Sequence, residues 1–139
     1  MLLRKPINVI QGRIFSKIIY EQALSKVVDV YSSTIKSSFI IQTPDNKLLL
    51  VERNTKANLI DVKGWKIALQ VKEGDVVRPR QRVALVLTKK YEVRSIRSSS
   101  KGVVVYIGWV YEERPERYII VVVNSDDIRE LRLRKRVST

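Results

Sequence analysis

Apolar residues alternate or bunch into short runs along much of the chain, and the densest stretch, residues 62–123, reads as one short β unit written twice. The first copy carries Ile67, Leu69 and Val71, then a Lys72-Glu73-Gly74-Asp75 turn, then Val83, Leu85 and Val86. The second carries Val105, Ile107 and Trp109, then a polar stretch at Tyr111-Glu112-Glu113-Arg114-Pro115, then Val121, Val122 and Val123. With an offset of 38, the step from Gly64 to Gly102, Ile67 superposes on Val105, Leu69 on Ile107, Val71 on Trp109, Val83 on Val121 and Leu85 on Val123. Two copies are too few for a solenoid, so the pattern predicts a closed, two-fold β unit.

The flanking patterns are weaker. Residues 7–11 alternate loosely up to Gly12, which predicts a short strand and a turn. Residues 13–31 carry apolar pairs at Ile14/Phe15, Ile18/Ile19, Ala23/Leu24 and Val27/Val28, a spacing that fits an amphipathic helix of about five turns. The β-branched Val27-Val28-Asp29-Val30-Tyr31 keeps a pair of strands open as the alternative. After a serine-rich connector, Phe39-Ile40-Ile41-Gln42-Thr43 and Lys47-Leu48-Leu49-Leu50-Val51-Glu52 flank Pro44-Asp45-Asn46, the pattern of a hairpin. Between Val77 and Leu87 the odd positions are mostly apolar and Arg78, Arg80 and Arg82 are even. Period two would place those arginines together on one outward strand face. Asp126 and Asp127 precede Arg129, Arg132, Arg134, Lys135 and Arg136, an order that suits either a short helix with its macrodipole or a basic tail. The chain thus divides into an N-terminal α+β extension (1–61), a β core (62–124) and a C-terminal tail or short helix (125–139).

Composition narrows the chemistry. Apolar content of 45% and charged content of 29% are values of a globular chain of one domain. No apolar run reaches the roughly 18 residues of a membrane helix, and the first residues lack a signal sequence's apolar stretch, so a cytoplasmic protein without a membrane span is expected. There is no Cys and no His. Disulfides, cysteine nucleophiles, imidazole bases and the usual zinc sites are excluded, and no metal site is expected. Nothing matches a phosphate-binding glycine loop or a nucleophile elbow. Glu112/Glu113 and Asp126/Asp127 are adjacent pairs. Neighbours on a strand face opposite ways, so Glu112/Glu113 solvates a turn rather than forming an acid/base dyad. Trp65 and Trp109 close two equivalent strands and are expected to anchor the core. The expectation is a protein without catalytic residues.

Charge adds the one pronounced signal. Twenty-seven basic residues against 14 acidic ones give +13, a balance that favours polyanion partners. Between Arg78 and Lys101 stand Arg78, Arg80, Arg82, Lys89, Lys90, Arg94, Arg97 and Lys101, opposed only by Glu92, for a local +7. Arginine grips phosphate oxygens bidentately and lysine acts as a point charge, while Tyr91 near the apex is placed to stack on a base. The competing reading is that these charges solvate outer strand faces and keep edges from pairing.

The ordered set Val71-Lys72-Glu73-Gly74-Asp75-Val76-Val77, Val83-Ala84-Leu85, a hairpin apex, Val93-Arg94-Ser95 and Gly102-Val103-Val104 resembles the biotinyl/lipoyl-like family. The resemblance implies a barrel-sandwich hybrid core within a mostly β chain. The N-terminal part resembles a small archaeal family of biotinyl/lipoyl-like proteins without a known function. Carrier members of the wider family attach biotin or lipoate to a lysine at the hairpin apex, which here implies Lys90 or Lys89. The apex Leu87-Thr88-Lys89-Lys90-Tyr91-Glu92-Val93 lacks both the paired methionines of biotinyl domains and the preceding Asp of lipoyl domains. The leading expectation is therefore a non-catalytic module without a cofactor, its basic hairpin contacting RNA or DNA. A carrier domain and an assembly subunit that binds an acidic protein are the alternatives.

Overall fold

Two unbroken apolar runs, residues 103–107 and 119–123, are hydrophobic toward both faces of any strand they form, which requires a sheet covered on both sides. The computed structural model of the protein describes residues 9–10, 13–14, 20–110 and 115–132, with side chains from residue 24 onward, and it builds that sheet. The strands before the repeat are β1 (Val9–Ile10), β2 (Arg13–Ile14), β3 (Val28–Asp29), β4 (Thr34–Ile35), β5 (Phe39–Gln42) and β6 (Leu48–Val51). Those of the repeat are β7 (Asn58–Gly64), β8 (Lys66–Leu69), β9 (Val76–Val77), β10 (Arg82–Leu87), β11 (Val93–Arg97), β12 (Gly102–Trp109) and β13 (Glu116–Val123), and β14 (Arg129–Leu131) follows. The helix α1 (Tyr20–Val27) and a 3-10 turn (Ser125–Asp127) complete the described elements.

The layers follow from which residues bury each other. The central sheet runs β7-β13-β12-β9, and a second sheet runs β11-β10-β8. Val62, Val77, Val83, Val86, Val104, Ile120 and Val122 fill the space between the two. On the far face of the central sheet, Val103, Val105, Tyr106, Val121 and Val123 pack against Val27, Val28, Ile35, Ile41 and Val51 from α1 and the small sheets β3-β4 and β5-β6-β14. The protein is mostly β, with a curled, half-barrel sheet at its centre.

A bulge decides which core each residue of β12 enters. Val105 is the extra residue where the β12–β13 register shifts between Val104 and Tyr106. Val105 and Tyr106 therefore face the same core, and Ile107 returns to the other. The Ile107 N–H beyond the bulge is satisfied by the Glu73 carboxylate at 2.9 Å.

The repeat is visible as two antiparallel pairs, β8 with β10 and β12 with β13. Each pair gains its third strand from the segment that leads into the other copy: β7, before the first, joins β13, and β11, before the second, joins β10. The offset of 38 does not carry over into pairing register, since Leu69 faces Ala84 while Ile107 faces Ile120. The bulge and the unequal turns absorb the two-residue difference.

Several expectations hold and others are corrected. The hairpin around Pro44-Asp45-Asn46 forms as β5 and β6, closed by Thr43 N–H to Lys47 O at 2.9 Å and by Asn46 at φ 65°. The Lys72–Asp75 turn forms too, with Gly74 at φ 93° and the Asp75 carboxylate accepting from Lys72 N–H at 2.9 Å. Gly74 also lies so close to that hairpin that a Cβ would meet Thr43 Cα at 3.0 Å and Pro44 Cδ at 3.1 Å. The five-turn helix is reduced to Tyr20–Val27. Asp29 ends it by accepting Tyr31 N–H at 3.0 Å and Ser32 N–H at 3.4 Å, so Val28 and Asp29 turn into β3. The loose strand near residues 7–11 survives as β1, paired with β2, while Gly12 and residues 15–19 lie outside the described residues. At the other end, residues 129–131 form neither helix nor tail but β14, paired with β6, with Ile128 tucked against the core. Residues 133–139 lie outside the described residues. Trp65 is not a core anchor: it is 48% exposed in the bend between β7 and β8, where Gly64, Ile67 and Leu69 take the inward positions. Tyr106 is instead the largest fully buried side chain, and Trp109 is half-buried.

Candidate functional site: the basic hairpin

The β10–β11 hairpin is closed by a three-residue loop. Tyr91 N–H donates to Thr88 O at 2.9 Å, Thr88 N–H donates to Glu92 O at 2.8 Å, and Tyr91 takes φ 62°. This is the type I turn followed by a left-handed residue, a position that glycine fills most readily. Lys89 and Lys90 occupy the two central turn positions and are exposed, and Tyr91 is 83% exposed.

The expected strand over residues 77–87 is interrupted. Residues 78–81 form a turn with Pro79 at its second position, Arg80 at φ 70°, and Gln81 N–H donating to Arg78 O at 3.1 Å. Arg78, Arg80 and Arg82 therefore do not share one strand face. The turn is held instead by Arg80 N–H to Ser98 O at 2.7 Å, Ser98 N–H to Gln81 O at 2.8 Å, and Arg97 Nη1 to Arg80 O at 2.9 Å. A bulge at Val83 sends Val83 and Ala84 both inward and leaves Arg82 outward, directly opposite Arg97.

Pairing assigns the faces. Ile67, Leu69, Ala84, Val86 and Ile96 pack inward against the central sheet. The outward face consists of cross-strand rows: Arg82 beside Arg97, then Ala68-Leu85-Ser95, then Lys66-Leu87-Val93. The tip with Lys89, Lys90 and Tyr91 lies beyond the last row. Trp65 sits at this same end, its N–H donating to Leu87 O at 2.8 Å. Gly102 pairs with Val77, which brings Lys101 alongside Arg78 at the hairpin base.

All eight cations singled out in the sequence are exposed, and the fold sorts them into groups. Arg78, Arg80, Arg82, Arg97 and Lys101 gather at the base; Lys89 and Lys90 cap the tip. The span of β10 separates these groups by about 17 Å. Arg94 stands apart on the opposite side of β11 from Val93, 4.0 Å from Glu92. Among the described residues, no other of the eight has a carboxylate within ion-pair distance. Lys66 joins the surface although the sequence did not mark it, because only the β8–β10 register shows that it stands beside Leu87. The left-handed geometry of Tyr91 and Arg80 was likewise hidden, since neither residue type signals positive φ.

The remaining candidates build no site. Asp126 and Asp127 lie exposed in the 3-10 turn, where Asn124 Oδ1 accepts from Asp126 N–H at 3.0 Å. They border an open cavity of about 600 Å³ shared with Glu52, Lys56 and Arg129. Glu112 and Glu113 lie outside the described residues. Among the described residues no group of three or more His, Cys, Asp or Glu is arranged to hold a metal, and no helix is long and apolar enough to cross a membrane.

One protein family matches the chain, described as an uncharacterized protein conserved in archaea (DUF2118), over residues 3–125. The match runs through the N-terminal elements and the β repeat alike. No curated protein matches.

Proposed function

The chain belongs to this archaea-conserved family, and we propose that it is a non-catalytic binding module of biotinyl/lipoyl-like, barrel-sandwich hybrid type whose basic hairpin holds a nucleic-acid backbone. Support for the fold type comes from the Gly74-Asp75 turn, the projecting hairpin and the exchange of leading strands between the two copies.

The observation that carries the functional reading is Arg82 directly opposite Arg97, with Arg80 strained beside them and no carboxylate among the described residues to neutralise any of the three. Like charges facing across an antiparallel pair destabilise it. The Arg97 hydrogen bond to Arg80 O steadies the turn, but the facing guanidinium charges still repel, and a phosphate bridging the two groups reverses the sign of that charge term. Binding would proceed by charge neutralisation and counterion release, tolerant of base sequence.

The test is affinity for mixed-sequence RNA and DNA across a salt series. Log affinity should fall by roughly 0.7 to 0.9 per phosphate contact with log salt, and Arg82→Ala with Arg97→Ala should flatten the slope by between one and two. Weak wild-type binding at low salt would overturn the proposal.

A second reading has its own observation: Lys89 and Lys90 stand at the two most prominent positions of a tight apex, accessible to a modifying ligase. As a carrier domain, the protein isolated from its source would show an intact mass heavier than its sequence by one biotin or lipoyl group. An unmodified mass removes that reading.

A further inference from the structure

We infer that the outward face of the β11-β10-β8 sheet takes a single strand of nucleic acid, with a base stacked on Tyr91 and the backbone running to the Arg82/Arg97 pair. The inference rests on the nucleic-acid reading and narrows it.

Tyr91 is the point of departure. Its φ of 62° is one that L-residues other than Asn and Asp rarely adopt, and its ring is 83% exposed, so it contributes almost nothing to the core. Strained residues that do not help folding mark places where the side chain is needed for something else. The neighbouring surface fits one occupant. Trp65, 48% exposed, lies at the same end of the sheet, and Val93, 68% exposed, continues the apolar row with Leu87. A duplex presents its charged backbone outward and hides its bases, leaving this apolar and aromatic strip unmatched. A single strand offers bare bases to the strip and phosphates to the cations at either end. The distance of about 17 Å from Leu87 to Arg82 along β10 corresponds to about five nucleotides at the roughly 3.4 Å axial rise of a stacked strand, and to fewer when the backbone is extended.

The experiment compares ten-nucleotide single-stranded RNA, the matching single-stranded DNA, the ten-base-pair duplex and poly-L-glutamate, on wild type, Tyr91→Phe and Tyr91→Asn. Asn suits the left-handed position, so Tyr91→Asn leaves Tm unchanged or raises it by about 1–4 °C. Against that intact fold it should lower single-strand affinity by about 5- to 150-fold, while Tyr91→Phe keeps it. Duplex affinity should be weaker than single-strand affinity and indifferent to position 91. RNA and DNA arms separate the two sources of the strand. Equal affinity for single strand and duplex, or no loss in Tyr91→Asn while a steep salt slope persists, overturns the stacking inference and leaves the polyanion proposal standing. Salt-insensitive or absent nucleic-acid binding overturns both, as does tighter capture of poly-L-glutamate, which would assign the surface to an acidic protein.

Discussion

Replacing Gly74 by Ala tests the joint between the β repeat and the N-terminal hairpin. Gly74 holds φ 93°, and an added methyl would stand 3.0 Å from Thr43 Cα and 3.1 Å from Pro44 Cδ. The backbone conformation alone costs an L-residue about 1–3 kcal/mol. The contacts add an overpacking penalty of similar size, because Thr43 Cα belongs to a backbone fixed by hydrogen bonds to Lys47 and Asn46 and cannot swing away. The sum, about 2–6 kcal/mol, is a large fraction of the roughly 5–15 kcal/mol typical of a domain. In urea melts followed by tryptophan fluorescence and far-UV dichroism, the midpoint should fall at unchanged slope. Gly74→Asn should fall between wild type and Ala, because Asn tolerates the dihedral but not the crowding. A Gly74→Ala midpoint within about 0.5 kcal/mol of wild type would refute both the assigned turn and its seating on the hairpin.

Ile120, fully buried between the central and outer sheets, should lose about 2–5 kcal/mol on truncation to Ala, whereas Val93→Ala should stay within about 0.5 kcal/mol; urea midpoints separate them. Acid stability should depend on two turn carboxylates. The Tyr31 N–H, followed by Ser32, holds Asp29 below its ordinary 3.8, and the Thr43 hydroxyl, helped by Lys47, does the same for Asp45. A depressed carboxyl stabilises the fold while ionised, so the contribution is present above pH 3.8 and is lost as pH falls below it. Melts of wild type and the Asp29→Asn, Asp45→Asn double variant should converge on acidification, and parallel acid limbs would contradict the assignment.

Local chemistry made part of this protein legible. The β5–β6 hairpin declares itself through Pro44-Asp45-Asn46, and the Lys72–Asp75 turn through Gly74, because those residue types prefer the dihedrals the turns need. The apolar runs at 103–107 and 119–123 announce a sheet buried on both faces. What stayed hidden depends on long-range pairing. Nothing near residue 129 reveals that β14 will cover the edge of β6. The alternation from Val77 to Leu87 concealed a turn because two strands in register with the same period flank Arg78-Pro79-Arg80-Gln81; Pro79, a residue that cannot donate to a ladder, was the available warning. The cations were all visible, but their division between base and tip required the fold.

The exchange of leading strands between the repeat copies also bears on how the protein is made. β7 ends at Gly64, yet its partner β13 is complete only at Val123, roughly 60 residues later in synthesis. At 5–20 residues per second, β7 waits about 3–12 s with its hydrogen-bonding edge open. A longer delay, roughly 80 residues from Val51 to Leu131, faces β6, whose second neighbour is β14. Neither copy can close a sheet alone, so the nascent chain carries unpaired edges until β13 and β14 have been made.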